Sequence, residues 1–247
     1  GVRPAERSAG CTRIVYPFPN LYELTAAAVM EADGYEVSLA DFVYAEQTPA
    51  DMEKWLAGDD SDVYCIWGVN LSISDDVRAI AMIRRLRPEV LVVMLGPSGT
   101  YFPDKFAADG RTVIVRGEPE STLSELMKLH SEGKDWTGID GITHFVEGKA
   151  VRNRPRALIK DLDALPFAAR HLLGNRHYHN PKLKTGPYTT ALTSRNCPFK
   201  CIYCVPSSLT CAREMDCRHD NGRKPPIGFR SEESVDREMA TLAAEGY

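Results

Sequence analysis

Six consecutive apolar residues, Val90–Leu95, constrain the fold of this chain more than any other feature of its sequence. A strand with one face in water alternates apolar and polar residues, whereas a strand of a parallel sheet is apolar throughout because helices cover both of its faces. Gly96-Pro97-Ser98-Gly99 follows the run and predicts a tight loop. The run therefore predicts a strand in the interior of a sheet that is covered on both sides.

Shorter strand and helix patterns alternate around this run. Further strands are predicted at Thr12–Tyr16, Tyr35–Asp41, Val63–Val69 and Thr112–Val115. Helices are predicted at Leu21–Asp33, from the N-cap Ser74 to about Pro88, and at Glu118–His130. Because strands alternate with helices, we expect an α/β fold with a doubly wound parallel sheet.

Four segments lie at the carboxyl ends of the predicted strands, where sheets of this kind bind their ligands. They are Pro17–Asn20, Gly68–Ser72, Gly96–Gly99 and Gly117–Glu120. Glycine occurs in three of the four and lets the backbone approach a ligand closely. Taken alone, these segments are more typical of ordinary tight turns than of a ligand site, since the G-x-G-x-x-G fingerprint of dinucleotide-binding proteins is absent from the sequence.

The second half of the chain predicts fewer regular elements. A hairpin is expected, with strands Ile142–Val146 and Ala150–Val151 around a turn at Glu147-Gly148-Lys149. A strand is predicted at Tyr188–Ser194, and a helix at Glu232–Glu245 with Ser231 as its N-cap.

Three cysteines, Cys197, Cys201 and Cys204, follow the predicted strand Tyr188–Ser194 with the spacing C-x3-C-x2-C. An iron–sulfur cube normally takes four cysteine ligands, so three thiolates from one short loop leave one iron open for a small molecule. Zinc can use the same thiolates, but a structural zinc site is closed and needs a fourth ligand. The spacing therefore predicts a metal centre and leaves its identity open.

The other cysteines carry weaker signals. Seven is an odd count with three clustered, which favours reduced thiols over a disulfide framework. Cys11 and Cys65 lie in or beside apolar strand-like runs and are expected to be buried. Cys211 and Cys217, with His219 nearby, have a C-x5-C spacing that matches no common zinc or ferredoxin pattern, so an incidental pair is favoured over a second metal site.

Charge and hydropathy argue against two classes of partner. The formal charge of −4 and a pI near 5.9 give no electrostatic footprint for nucleic acid. The sequence has no run of about 18 apolar residues that could span a bilayer, and no signal-peptide pattern near Gly1. We therefore expect a cytoplasmic protein that binds neither nucleic acid nor membrane.

The cysteine spacing, with the aromatic Tyr203 before the third cysteine, resembles the radical S-adenosylmethionine (SAM) superfamily. Val93–Thr100 and Ile114–Leu123 are similar to the last two strand-to-helix turns of cobalamin-binding domains fused to radical SAM proteins. Three further stretches, in matching order, resemble the connector of those proteins: Ile139–Ile142, Arg154–Arg156 and Asp161–Pro166.

This resemblance implies a division of the chain into three parts. A Rossmann-like, cobalamin-binding type of domain is expected at 10–135, a connector with the hairpin at 136–187, and the start of a partial radical SAM (β/α) barrel at 188–247. A complete eight-unit barrel runs to roughly 250 residues by itself. The chain is therefore expected to be a fragment of a longer enzyme, inactive alone.

The resemblance also implies a chemistry. Cys197, Cys201 and Cys204 would hold a [4Fe-4S] cluster, whose open iron binds SAM and cleaves it to a 5′-deoxyadenosyl radical, with Tyr203 contacting SAM. An external flavodoxin or ferredoxin would supply electrons. The reaction would be methyl transfer to, or rearrangement or cyclisation at, an unactivated carbon of a small-molecule or natural-product substrate. The cobalamin contacts implied are Gly68, Asn70, Ser72, Gly96, Pro97, Ser98, Gly117 and Glu118.

One departure from the family keeps a second class of function open. The Asp-x-His-x-x-Gly motif, whose histidine ligates cobalt in methionine-synthase-type domains, is absent, and Pro17–Asn20 takes its place. Many cobalamin domains fused to radical SAM proteins also lack it, so cobalamin can bind without an imidazole, but a degenerate, empty domain would look the same. The alternative is a non-catalytic zinc or iron–sulfur module, with Cys211 or Cys217 as fourth ligand.

Overall fold

The computed structural model describes residues 19–42, 47–69, 72–106, 110–174, 178, 186–196 and 225–247. The helices are α1 (Leu21–Ala32), α2 (Pro49–Gly58), α3 (Ile73–Leu86), α4 (Pro97–Tyr101), α5 (Pro119–Ser131) and α6 (Glu232–Ala244). The strands are β1 (Val63–Trp67), β2 (Leu91–Leu95), β3 (Thr112–Val115), β4 (Ile142–Val146), β5 (Lys149–Arg152), β6 (Ser194–Arg195) and β7 (Gly228–Phe229). Within those ranges, no helix is both long and apolar enough to cross a bilayer.

Five strands form one mixed sheet in the order β1-β2-β3-β4-β5. The first three run parallel, and β4 pairs antiparallel with β3 and then with β5. The turn between β4 and β5 has positive φ at both Glu147 (50°) and Gly148 (74°), which fits the twist of a two-residue hairpin. The predicted hairpin is confirmed, and it extends the sheet; the domain boundaries at 135 and 187 stay predictions.

Alternate residues of β2 contribute to two of the three hydrophobic clusters in the described part of the chain. Leu91, Val93 and Leu95 pack in one cluster with residues of α1 and α5. Val92 and Met94 pack on the opposite face with residues of α2 and α3. Every side chain of β2 is buried, and burying an apolar side chain of this size contributes about 1.5–3 kcal/mol. The fold is therefore α/β with helices on both faces, as the apolar run predicted.

A second, two-stranded sheet lies beside the main one. Its strands β6 and β7 pair antiparallel, with Ser194 opposite Phe229 and Arg195 opposite Gly228. The helix α6 follows at once and is capped by Ser231, whose hydroxyl accepts a hydrogen bond from the Ser234 amide, as predicted. This small sheet carries the chain into the segment that contains the cysteine triplet.

Of two further predicted strands, Tyr188–Ser194 is wrong in extent, whereas Tyr35–Asp41 stays a prediction. Tyr35–Asp41 is extended and packs partly buried side chains on the core, but it joins no ladder among the described strands. Tyr188–Ser194 contributes only Ser194 to β6. The carbonyl oxygens of Thr190 and Leu192 instead accept hydrogen bonds from the side chains of Arg170 and Arg230.

Local details of the first half also differ from prediction. Ser72, not Ser74, precedes α3, since its carbonyl accepts the first helical hydrogen bonds. Gly96–Gly99 is not only a loop, because Pro97 begins the short helix α4. The helix α2 was not predicted from the sequence, although Thr48 and Asp51 form a capping box at its start. Cys65 is exposed on β1, at the edge of the described sheet, so its predicted burial is wrong.

Several predictions fall on residues that the structure does not describe. They are the strand Thr12–Tyr16, Cys11, Asn70, Tyr203, Cys197, Cys201, Cys204, Cys211 and Cys217. These stay predictions.

Candidate cofactor site at the carboxyl edge of the sheet

The predicted cobalamin residues after β1 and β2 lie together at the carboxyl edge of the sheet. The Gly68 amide donates to the Leu95 carbonyl oxygen at 2.9 Å, and the Gly68 carbonyl oxygen accepts from the Ser98 amide at 3.3 Å. Gly117 and Glu118 follow the neighbouring strand β3. Three of the four segments singled out in the sequence therefore lie along one edge.

Glycine is required at two positions because the backbone segments approach so closely. A Cβ at Gly68 would overlap the Ser98 hydroxyl and would lie 3.0 Å from the Met94 methyl carbon. Gly96 has φ of +85°, and a Cβ there would lie 2.7 Å from the Gly68 carbonyl oxygen. The glycines at this edge thus serve close packing of the loops, which leaves room for little besides backbone on the edge itself.

Ser98 presents a buried hydroxyl that has no hydrogen-bond partner among the described residues. The residue is fully buried, and its Oγ makes no hydrogen bond to any described residue. A buried hydroxyl without a hydrogen bond costs about 1–3 kcal/mol, so Ser98 Oγ is a group that a polar ligand atom could satisfy.

Carboxyl groups with raised pKa values lie next to Gly68. The Ser72 hydroxyl donates to Asp76 Oδ2 at 2.8 Å, and the same oxygen would lie 3.1 Å from a Cβ at Gly68. Burial raises the pKa of Asp76 to about 6. Burial, and then the negative charge of Asp41, raise the pKa of Glu23 to about 7. Neither Asp76 nor Glu23 was predicted from the sequence as a site residue.

An aromatic pair adjoins the same edge. Tyr22, in the first turn of α1, stacks on Trp67, the last residue of β1, with ring centroids 5.4 Å apart and planes 11° apart. The Trp67 ring also lies against Gly96, where a Cβ would be 3.0 Å from it. Neither aromatic was singled out from sequence, because their proximity depends on the packing of α1 against β1.

The end of β3 is tied to the start of the cysteine segment. Glu118 uses both carboxylate oxygens, accepting from the Ile159 amide at 2.8 Å and from Arg195 Nη1 at 2.9 Å. Arg195 also donates to Glu120, with Nη2 2.6 Å from Oε1. All three charged side chains are buried. The Glu118 carboxylate is therefore occupied by protein, and Glu118 as a cobalamin contact stays a prediction.

A second buried charge cluster lies farther along. Glu238 of α6 pairs with Arg170 at 2.8 Å and with Arg230. Arg170 and Arg230 also bind the backbone of residues 190 and 192. This cluster holds α6 against residues 190–192, and among the described residues it makes no hydrogen bond or ion pair to the sheet edge.

The edge residues fit a cofactor that is held by backbone and hydroxyl groups. In the described ranges, no group of three or more His, Cys, Asp or Glu side chains is placed to hold a metal ion. The Ser98 hydroxyl and the backbone groups of the loops at Gly68 and Gly96 are of the kind that could hydrogen-bond to a cobalamin, and these contacts stay a prediction. The cysteine triplet lies outside the described residues, two positions after Arg195.

Comparison with curated proteins found related enzymes, while no protein family model matches the chain. An uncharacterized methyltransferase of Pyrococcus horikoshii is 30% identical over 186 residues, which are 74% of this chain and 40% of that protein. The anaerobic magnesium-protoporphyrin IX monomethyl ester cyclase of Synechocystis sp. is 28% identical over 130 residues, or 51% of this chain and 25% of that protein. The chain thus spans less than half the length of these relatives.

Solved structures of similar fold include two cobalamin-dependent enzymes. The radical SAM methyltransferase TsrM from Kitasatospora setae, solved with cobalamin and a [4Fe-4S] cluster, matches 93% of this chain and 44% of its own with TM-score 0.65 and 21% identity. The cobalamin-dependent SAM radical enzyme OxsB matches 93% of this chain and 30% of its own with TM-score 0.69 and 17% identity. The chain shares the fold of cobalamin-dependent radical SAM enzymes, which confirms the resemblance read from its sequence.

Proposed function

We propose that this chain is part of a cobalamin-dependent radical SAM enzyme that acts at an unactivated carbon of a small molecule, by methyl transfer or by cyclisation. One observation carries the proposal. The buried pairs from Arg195 to Glu118 and Glu120 bring the start of the cysteine segment to the carboxyl edge of the sheet, where folds of this kind bind their ligands. Two cofactor sites would then face one another.

The sheet edge would hold the cobalamin. Gly68 and Gly96 let the loops after β1 and β2 pack closely, which would form the surface on which the cofactor lies, and the Ser98 hydroxyl would hydrogen-bond to one of its polar groups. Asp76 and Glu23, with pKa values of about 6 and 7, would be partly protonated near neutral pH, so each can donate as well as accept a hydrogen bond.

The cysteine triplet would hold the second centre. Cys197, Cys201 and Cys204 would ligate a [4Fe-4S] cluster, and Tyr203 would contact SAM beside it. The bound cofactors supply radical and methyl-transfer chemistry, while the protein orients them and keeps water away. An external flavodoxin or ferredoxin would reduce the cluster in the cytoplasm, with no role for nucleic acid or membrane.

The proposal is tested on the full-length protein, reconstituted anaerobically with iron, sulfide and hydroxocobalamin. The sample is incubated with SAM and dithionite, and mass spectrometry measures 5′-deoxyadenosine and S-adenosylhomocysteine. We expect one or both products from the wild type. Cys197→Ala should abolish them because the cluster loses a ligand. The matched control Cys65→Ala, which alters a cysteine of β1, should leave them unchanged.

A negative result distinguishes the alternative. A colourless protein that retains one tightly bound zinc per chain and forms neither product contradicts the enzyme and supports a non-catalytic metal module.

A further inference from the structure

We propose that Arg195 is a positioning residue that holds the start of the cysteine segment at a fixed place relative to the cofactor edge of the sheet. The inference rests on the proposed function, which puts a cluster on one side of this contact and cobalamin on the other. It assigns Glu118 and Glu120 the role of anchoring that side chain.

The contact joins parts of the chain that are far apart in sequence. Arg195 and Glu118 are separated by 77 residues, and Arg195 Nη1 lies 2.9 Å from Glu118 Oε1. Arg195 Nη1 and Nη2 lie 3.3 and 2.6 Å from the two oxygens of Glu120. Glu118 follows Gly117 at the cofactor edge, whereas Arg195 precedes Cys197 by two positions. The contact between Arg195 and the two glutamates is thus only a few residues along the chain from the predicted cobalamin site and from the predicted cluster site.

The chemistry of the contact makes it directional. A planar guanidinium engages a carboxylate through two parallel hydrogen bonds, which fixes orientation as well as distance, whereas a lysine ammonium does not. Two buried carboxylates face one guanidinium, so the three groups together carry one net negative charge. Glu118 is the N-cap of α5 and Glu120 lies in its first turn, where the helix dipole stabilises that negative charge. Glu118 also accepts from the Ile159 amide, so the anchor itself is held by the connector.

The structure contains a matched comparison. Glu238 binds Arg170 and Arg230 and is as deeply buried as Glu118, and its arginines hold the strand that leads to Arg195. Of its partners, Arg170 begins the short turn Arg170–Leu173 and Arg230 lies between β7 and α6, so neither is at the sheet edge. Breaking this second cluster therefore perturbs a buried arginine–glutamate contact without cutting the link between the two proposed cofactor sites.

The experiment uses the full-length protein loaded with both cofactors and then reduced, so that the cluster and Co(II) cobalamin are both paramagnetic. Electron paramagnetic resonance measures the magnetic interaction between them, and mass spectrometry measures the products 5′-deoxyadenosine and S-adenosylhomocysteine per SAM consumed. Glu120→Gln removes one carboxylate charge, and Arg195→Lys keeps the charge but removes the planar fork. We expect both variants to retain iron and cobalt, to show an altered interaction, and to lose about tenfold or more in S-adenosylhomocysteine per SAM consumed.

The outcomes separate the inference from the proposed function. Glu238→Gln should lower the melting temperature but keep the wild-type spectrum and product ratio. If Glu120→Gln and Arg195→Lys keep the wild-type spectrum and ratio, or if Glu238→Gln changes both as much as they do, Arg195 has only a structural role and the inference is wrong. Where Arg195→Lys does not fold, Glu120→Gln decides. A wild-type protein that binds no cluster or no cobalamin refutes the proposed function, and the inference with it.

Discussion

Gly68→Ala is expected to destabilise the cofactor-free chain by about 2 kcal/mol, because the new methyl group meets the Ser98 hydroxyl inside contact distance. Backbone strain does not contribute, since Gly68 is not among the residues with positive φ. Ser98 is fully buried within the turn after β2 and has little room to yield. The cost should therefore arise from this one overlap and follow the range of about 1–3 kcal/mol for overpacking.

A double-mutant cycle isolates that overlap. Ser98→Ala removes the hydroxyl, after which the nearest atoms to the Gly68 methyl are Met94 Cε at 3.0 Å and Asp76 Oδ2 at 3.1 Å, both tight but less severe. We expect Gly68→Ala to cost roughly 0.5 kcal/mol in that background, a coupling of about 1.5 kcal/mol. Ser98→Ala alone should raise stability by up to about 1 kcal/mol, because its hydroxyl is buried without a partner.

Guanidinium unfolding followed by tryptophan fluorescence measures each free energy of unfolding. Trp67 adjoins Gly68, and Trp55 and Trp136 pack on the two cores of the same sheet, so the signal reports this region. Equal costs for Gly68→Ala in the two backgrounds would refute the close approach of the two turns. With hydroxocobalamin added, Ser98→Ala should bind it about tenfold more weakly, the loss of one hydrogen bond worth about 1.4 kcal/mol.

Two further predictions concern buried charge. Burial raises the pKa of Asp76 from 3.8 to about 6, so the ionised carboxylate destabilises the folded state at pH values above 6 and has no effect below the pKa of the unfolded chain. Asp76→Asn should therefore raise the free energy of unfolding by about 1–3 kcal/mol at pH 7.5 and by little at pH 4. Thermal unfolding at both pH values checks this, with Asp75→Asn, at the surface ion pair with Arg78, expected to stay within about 0.5 kcal/mol. Glu238→Gln should lower the free energy of unfolding by about 2 kcal/mol, because two buried arginines lose a charged partner. The control Asp236→Asn, at an exposed position of the same helix, should change the free energy of unfolding little, and thermal unfolding compares the two variants.

Elements set by local pattern were predictable from the sequence. The apolar run Val90–Leu95 gave the buried strand β2, whose alternate side chains contribute to two hydrophobic clusters. Glu147 and Gly148 predicted the hairpin turn, and Ser231 the cap of α6. The capping box of α2 at Thr48 and Asp51 is an equally local pattern, so α2 was also predictable from the sequence.

Features set by contacts between distant residues were not predictable. Glu118 matched a family turn and was expected to reach a cofactor, but its carboxylate binds a side chain 77 residues away. The strand before the cysteines was predicted too long. The carbonyl groups of Thr190 and Leu192 accept hydrogen bonds from arginine side chains, which an alternating pattern of apolar residues does not predict. The burial that raises the pKa of Asp76 likewise depends on how α3 packs on the sheet edge.

We propose that one chain holds two separate cofactors, a cluster on the cysteine triplet and cobalamin at the sheet edge. Iron and cobalt content after anaerobic reconstitution and gel filtration of the full-length protein tests it most directly. We predict about four iron atoms and about one cobalt per chain. The triple variant of Cys197, Cys201 and Cys204 to alanine should lose iron and keep cobalt, whereas Gly96→Val should lose cobalt and keep iron. A wild type that retains no cobalt, or variants that lose both metals together, would contradict the account.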